Sequence, residues 1–420
     1  MLNVDVSNIW CRVSLPDLLA VENDLKRATI EVRDGLSPVL GWLNQTEAVR
    51  KMYLREISVA AERIRKTSRT LVVIGAGLNC AGAAAAAEIF TGTRRSPMRI
   101  LLLGDSYSPE AWLPIEQELE RSDFSVLLTA ENGMETLPLV IMRSVRWVME
   151  KRYGVDFADR IYVVSPARQN VLFRLAVGEK WQKLDAPELP WGDRSTLNPA
   201  GLLILAAAGL DPVQVYQGAA SMYRTCAGQS FENPAWLYAG ARYILMQSGA
   251  LSEHICAQNP FSAPLAGWWA RALCADCRSG KGCSADSFTL PGDFFRCGNL
   301  LLDGSRGAFS TLLRLPQTVR PVPVEMDWKN LDGIDPLAGF KFHELEEKTA
   351  AAIQNAMIDR EVPLLVISSD EAMEDAQVGG LLCFAEYTAA LSAALCGIPA
   401  EADDYPRQTL HALDVELGCR

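Results

Sequence analysis

The sequence predicts an α/β protein: two three-layer αβα sandwiches with mainly parallel sheets, plus helices at the N- and C-termini. Three observations predict it. Short, wholly apolar runs bounded by turn residues recur along the chain, and amphipathic helical segments separate them. The chain has 420 residues, 49% of them hydrophobic and 22% charged, enough to bury more than one core. Buried strands that alternate with helices pair in parallel, with helices on both faces of the sheet.

The elements follow in order. Segments such as "LLAVENDLKRATIEV" and "VRKMYLREISVAAERIRK" carry apolar residues at helical spacing, so residues 1–66 are assigned to an N-terminal helical extension. The first α/β domain, 67–220, takes its strands from "LVVIGAG" (71–77), "RILLLGDS" (99–106), "FSVLLTAENG" (124–133) and "RIYVVSPA" (160–167). The second domain, 221–397, takes them from "LSEHICAQ" (251–258), "GNLLLDGSRG" (298–307) and "VPLLVISSD" (362–370). A C-terminal helix occupies 398–420. No low-complexity linker separates the parts.

Composition excludes some partners. A net charge of −11, spread along the chain, argues against nucleic acid, which needs a basic face. The apolar run "AGLLILAAAGL" (200–210) is too short to span a bilayer and ends at the turn signal Asp211-Pro212, so no membrane partner is expected. The first residues lack the basic and apolar regions of a signal peptide. Eleven scattered cysteines do not form a disulfide framework, and a reducing cytoplasm is expected.

Two loops hold the candidate ligand chemistry. The first, "GAGLNCAG", follows a strand and opens an alanine-rich helix, an arrangement in which backbone N–H groups can cradle a phosphate. A dinucleotide fingerprint would need a third glycine where Cys80 stands, although Asp105 does end the next strand, as a ribose-binding acid would. The second loop, "AENGMETLP" (130–138), offers Asn132, Gly133 and Thr136, but also Glu131 and Glu135. Each carboxylate beside a phosphate would cost something like 1 kcal/mol even in a wet site.

Taken in order, the segments resemble the phosphoglucose isomerase family, built from two sugar-isomerase (SIS) domains. The likeness runs from about Leu71 to Leu417. It rests on "VVIGAGLNCAGAAAA", "DFSVLLTAENGMETLPLVIMRSVRWVMEKRYG", "WGDRSTLNPAGLLILAAAGLD", "NPAWLYAGARYIL", Trp268-Trp269, "LDGIDPLAG" and "AMIDREVPLLVI". It implies aldose–ketose isomerisation of a hexose phosphate in glycolysis and gluconeogenesis, a small sugar or sugar-phosphate ligand, and no cofactor. It also implies a homodimer, because the family's site is completed by a second subunit. Gly75, Gly77, Asn79, Asn132, Gly133 and Thr136 are the implied ligand-binding residues.

The departures are specific. Asn79 stands at the family's first-loop serine, and Ala130 to Leu137 replace a loop in which the family has Ser-Lys-Ser-Gly-Thr-Thr. The reaction needs a base to move a proton between adjacent carbons, a cation for the enediolate and an acid/base pair for ring opening. Arg194 matches the family's arginine, with Asp193 in place of a glycine. Ala275 matches the glutamate, leaving Asp276 as the nearest carboxylate. Phe295 matches the histidine and Leu410 the lysine, with Arg407 close by. Arg194 and Asp276 are therefore the candidate catalytic residues. The alternative is a catalytically inactive paralogue that binds a sugar or other small polar ligand in a regulatory or assembly role. His254, His343 and His411 match no catalytic position and are expected on the surface or satisfied in the core. Cys274, Cys277, Cys283 and Cys297 could share a zinc ion, or be incidental thiols of a cytosolic loop.

Overall fold

The computed structural model describes residues 2–36, 47–75, 78–91, 98–129, 136–166, 171–186, 195–274, 277, 281–303, 307–316, 320–398 and 405–418. Its strands are β1 (Leu2–Asn8), β2 (Thr70–Ile74), β3 (Arg99–Leu103), β4 (Phe124–Thr129), β5 (Ile161–Pro166), β6 (Gln182–Ala186), β7 (Ser252–Ala257), β8 (Ser284–Thr289), β9 (Ala308–Arg314) and β10 (Leu364–Ser369). They form two five-stranded sheets, in the orders β3-β2-β4-β5-β6 and β1-β10-β9-β7-β8. Helices lie between consecutive parallel strands, and the α/β class with parallel-dominated sheets is the one that the alternation predicts.

The chain divides into two compact units, each gathered from separate stretches. One comprises Ile30–Ala227, Asp375–Ala390 and Gly397–Arg420. Its sheet is wholly parallel, with Thr70 of β2 opposite Arg99 on one side and Phe124 on the other. Every residue of β2 and β4 is buried, as it must be with both faces covered. Val72, Ile74, Val126 and Leu128 pack on Val145, Val148 and Met149 of the helix Thr136–Tyr153. The helix Pro199–Ala207 has no polar face and no exposed residue, so it can only be a core element. It packs against the helices Glu47–Thr67 and Leu78–Thr91. Asp211-Pro212, read in the sequence as a turn, also starts a helix: the Asp211 carboxylate accepts from Val213 N at 2.9 Å.

The other unit comprises Met1–Thr29, Gly228–Glu374 and Leu391–Cys396. Its parallel strands β8, β7, β9 and β10 repeat the order of the first four in the other sheet. The fifth place is taken by β1, antiparallel to β10, with Leu2 opposite Ser369 and Val4 opposite Ile367. The linear division thus differs from the observed one at three points. Residues 1–66 are not all helical, since they open with a strand that belongs to the second sheet. The 375–390 and 397–420 segments return to the first unit. "GNLLLDGSRG" is not a strand: its leucines end the helix Gly292–Leu301, and β9 starts only after Gly307 turns at φ +69°. An apolar run that short fits a helix face or a strand equally well, and Leu301 is buried from the helix.

Among the described residues one helix, Asp375–Leu395, is long and apolar enough to cross a bilayer, but 83% of its apolar window is buried within the protein. Two glycines let it pack closely. A Cβ on Gly379 would lie 1.8 Å from the Val215 carbonyl oxygen, and one on Gly218 1.8 Å from that of Ala376. The helices Pro212–Cys226 and Asp375–Leu395 therefore meet backbone to backbone.

Candidate functional site

In the first unit β2 leads through a helix to β3 on one side of the sheet, while β4 leads to β5 on the other. Such a switch point opens a crevice beyond the carboxyl ends of the two strands, where doubly wound sheets bind ligands. Gly75 follows β2 there. A Cβ on it would lie 2.8 Å from both Cγ2 and the carbonyl oxygen of Thr129, the last residue of β4. Only a glycine lets the two strand ends come this close. Thr129 is 2% exposed, and its Oγ1 makes no hydrogen bond among the described residues.

Helices start just beyond both strands, at Leu78 and at Thr136, so both present N-terminal N–H groups to the same edge. Thr136 is half-buried at its helix's first position. A Cβ on Gly104, at φ +112°, would lie 3.6 Å from Pro138 in that helix. Gly77, Asn132 and Gly133 lie outside the described residues, as does the side chain of Asn79.

Arg194 and Asp276 also lie outside the described residues, but the backbone that follows Arg194 is firmly held. Asn198 caps the helix Pro199–Ala207, accepting from Gly201 N at 2.9 Å, and its Nδ2 donates to Ser195 O at 2.8 Å. Gly201 leaves no room for a Cβ, which would fall 1.8 Å from Thr196 O. Beneath this turn lies the carboxyl of Glu386, 1% exposed, which accepts from Thr196 N. The carboxyl also faces Leu197 N and the hydroxyls of Ser195 and Thr196. Burial pushes the Glu386 carboxyl up to about 8, against the lowering effect of these donors.

The same switch point in the second unit is filled by its own side chains. Gln258, after β7, donates to Glu347 at 2.9 Å and accepts from Nε of Arg314 in β9 at 3.4 Å. Arg314 also pairs with Glu347, leaving a self-satisfied network. Trp268 and Trp269 are buried core residues of the helix Ala263–Cys274. His254 is buried, with Nδ1 2.7 Å from Asp286 Oδ1, and His343 is exposed on a helix. His254 Nε2 makes no hydrogen bond among the described residues, so His254 is not the satisfied core histidine expected. Phe295, at the family's histidine position, is 78% exposed.

Cys274, Cys277 and Cys283 come together at the end of the helix Ala263–Cys274, whereas Cys297 donates to Asp293 O within the helix Gly292–Leu301. Among the described residues no group of three or more His, Cys, Asp or Glu is placed to hold a metal ion.

No family model matches the chain. Curated relatives do. The chain is 29% identical over 370 residues to the glucose-6-phosphate isomerase of Bacillus cytotoxicus, covering 86% of this chain and 82% of the relative. It is also 29% identical over 373 residues to that of Exiguobacterium sibiricum, with 86% and 83% covered. The chain is similar to glucose-6-phosphate isomerases over most of its length. Solved structures give the same fold. A hypothetical protein of Thermus thermophilus superposes with TM-score 0.85 at 18% identity, covering 99% of this chain and 100% of that one. A glucose-6-phosphate isomerase of Chlamydia trachomatis superposes with TM-score 0.80 at 13% identity, covering 100% and 88%.

Two residues of the candidate site escaped sequence reasoning. Thr129 is hidden in an apolar strand, and nothing local marks it. Glu386 did leave a signal: it is a lone carboxylate inside the apolar helix sequence "LLCFAEYTAAL".

Proposed function

We propose that the chain binds a hexose phosphate in the crevice beyond β2 and β4 and interconverts its aldose and ketose forms. The close approach of Gly75 to Thr129 carries this reading, because it brings the ends of β2 and β4 together beside two helix N-termini. Arg194 is the candidate cation for the enediolate and Asp276 the candidate base. A second reading, ligand binding without turnover, is favoured by Ala275, Phe295 and Leu410 at positions where the family has reactive groups. Glu131 and Glu135 in the phosphate loop favour it too.

A homodimer belongs to the same proposal. The excursion closed by the Pro323–Lys341 bridge exposes Trp328 and Leu331 at 84% each and Met326 at 75%, apolar surface of a kind that associates.

Converting fructose 6-phosphate to glucose 6-phosphate in a coupled assay tests the readings. Turnover at ordinary enzyme rates, lost in Arg194→Ala, is expected of the isomerase. A thermal shift with hexose phosphate but no turnover would leave only the binding protein. Neither turnover nor shift with any hexose phosphate would overturn both.

A further inference from the structure

The helix Ala263–Cys274 ends in thiols that the sugar chemistry does not use. Cys274 and Cys277 are both partly exposed, and Cys277 N donates to Cys274 O at 2.9 Å. A bond of that span holds the two Cα atoms within about 7 Å. A disulfide needs roughly 4.4–6.8 Å. The Cys277 thiol donates to Cys283 O at 3.3 Å, and the Cys274 sulfur accepts from Ala285 N at 2.9 Å. Behind the pair lies the buried guanidinium of Arg242, with Nε 2.8 Å from Glu253 and Nη2 2.6 Å from Cys283 O.

The backbone is shaped around the second sulfur. Gly282 sits at φ +88°, and a Cβ there would fall 3.0 Å from Cys277 Sγ. The remaining thiols nearby are set apart. Cys283 is fully buried with its thiol pushed up to about 12, chiefly by burial, and Cys396 is raised for the same reason. The Cys274 thiol is lowered instead, first by the neighbouring Cys277 thiol and further by Ala285 N–H and Arg242. A donor N–H at 2.9 Å and a nearby guanidinium are groups that favour a thiolate.

We propose that Cys274 and Cys277 are a redox-active dithiol that closes reversibly to a disulfide, with Cys274 as the attacking thiolate. The oxidant is the disulfide of a small thiol. Cys274 attacks one of its sulfurs, an S–S bond breaks, and the first small thiolate leaves, giving a mixed disulfide at Cys274. Cys277 then loses its proton and attacks the Cys274 sulfur, expelling the second small thiolate. Two protein thiols are oxidised by two electrons, and one small disulfide is reduced to two thiols. The inference does not rest on the sugar reading, although Asp276, the candidate base, stands between the two cysteines in the chain.

The test uses the reduced full-length chain, equilibrated in glutathione buffers of increasing oxidised fraction, alkylated and mapped by mass spectrometry. The expected product is two hydrogens lighter, with one peptide linking Cys274 to Cys277 and Cys283 still reduced. Cys277→Ser is expected to accumulate glutathione on Cys274, while Cys274→Ser leaves Cys277 unmodified. In the unsubstituted chain at pH 7, Cys274 is expected to alkylate at least about tenfold faster than the exposed Cys11. Three results would overturn the proposal: no internal disulfide at any poise, a disulfide to a different cysteine, or Cys274 labelling no faster than Cys11. Stoichiometric zinc that blocks labelling would overturn it as well.

Discussion

Replacing Glu386 by glutamine should remove a contribution to stability that falls as pH rises. The carboxyl ordinarily titrates near 4.5, and in the folded protein it titrates near 8. Between those values the folded chain holds a proton that the unfolded chain has lost. Stability therefore falls as pH rises, by about 1.4 kcal/mol per pH unit. Across about 3.5 pH units the loss approaches 5 kcal/mol, an upper bound that local rearrangement would reduce. The thiols of Cys226 and Cys383 and the Tyr387 phenol nearby are all held above their ordinary values, so Glu386 is the group that titrates there.

Glutamine keeps the oxygen that accepts from Thr196 N and has no charge to lose. Urea unfolding of both proteins at pH 5, 7 and 9 measures the effect. The two should be similar at pH 5, and Glu386→Gln should be the more stable by several kcal/mol at pH 9. Parallel profiles, with the same difference at every pH, would refute the reasoning.

The other predictions concern packing, the buried pair and assembly. Gly218→Ala or Gly379→Ala drives a methyl into a facing carbonyl and should cost at least about 3 kcal/mol in chemical denaturation. Gly178→Ala, at a helix position with open space, should be neutral or stabilising by up to about 1 kcal/mol, and a large loss there would contradict the geometry. Arg242→Leu leaves Glu253 buried with only the Tyr238 and Thr311 hydroxyls as partners. It should cost about 3–5 kcal/mol, and a loss under 1 kcal/mol would show that the ion pair contributes little. Trp328→Asp should shift a dimer toward monomer in sedimentation velocity, and an unchanged coefficient would remove the excursion from the interface.

Much of this was legible without a structure, and the reason differs from element to element. β2 and β4 are continuous apolar runs because both their faces are covered, so they announce themselves. β8, "SADSFT", is a partly exposed edge strand and carries no such run. β1 is a strand only because β10, more than 350 residues later, offers it an edge. In the site, Gly75 was visible as the glycine of a strand-to-helix turn. The neighbour that makes it obligatory, Thr129, was not.

Local patterns decide what a segment can become: a buried strand, a capped helix, a glycine turn. They determined the α/β class, the two mainly parallel sheets and the glycine turn at Gly75. Chain topology decides which distant atoms meet. Glu386 lies 190 residues from Thr196, and no local pattern records that pairing. Its role exists only because two helices cross where glycines let their backbones touch and a single buried carboxyl meets the turn after Arg194.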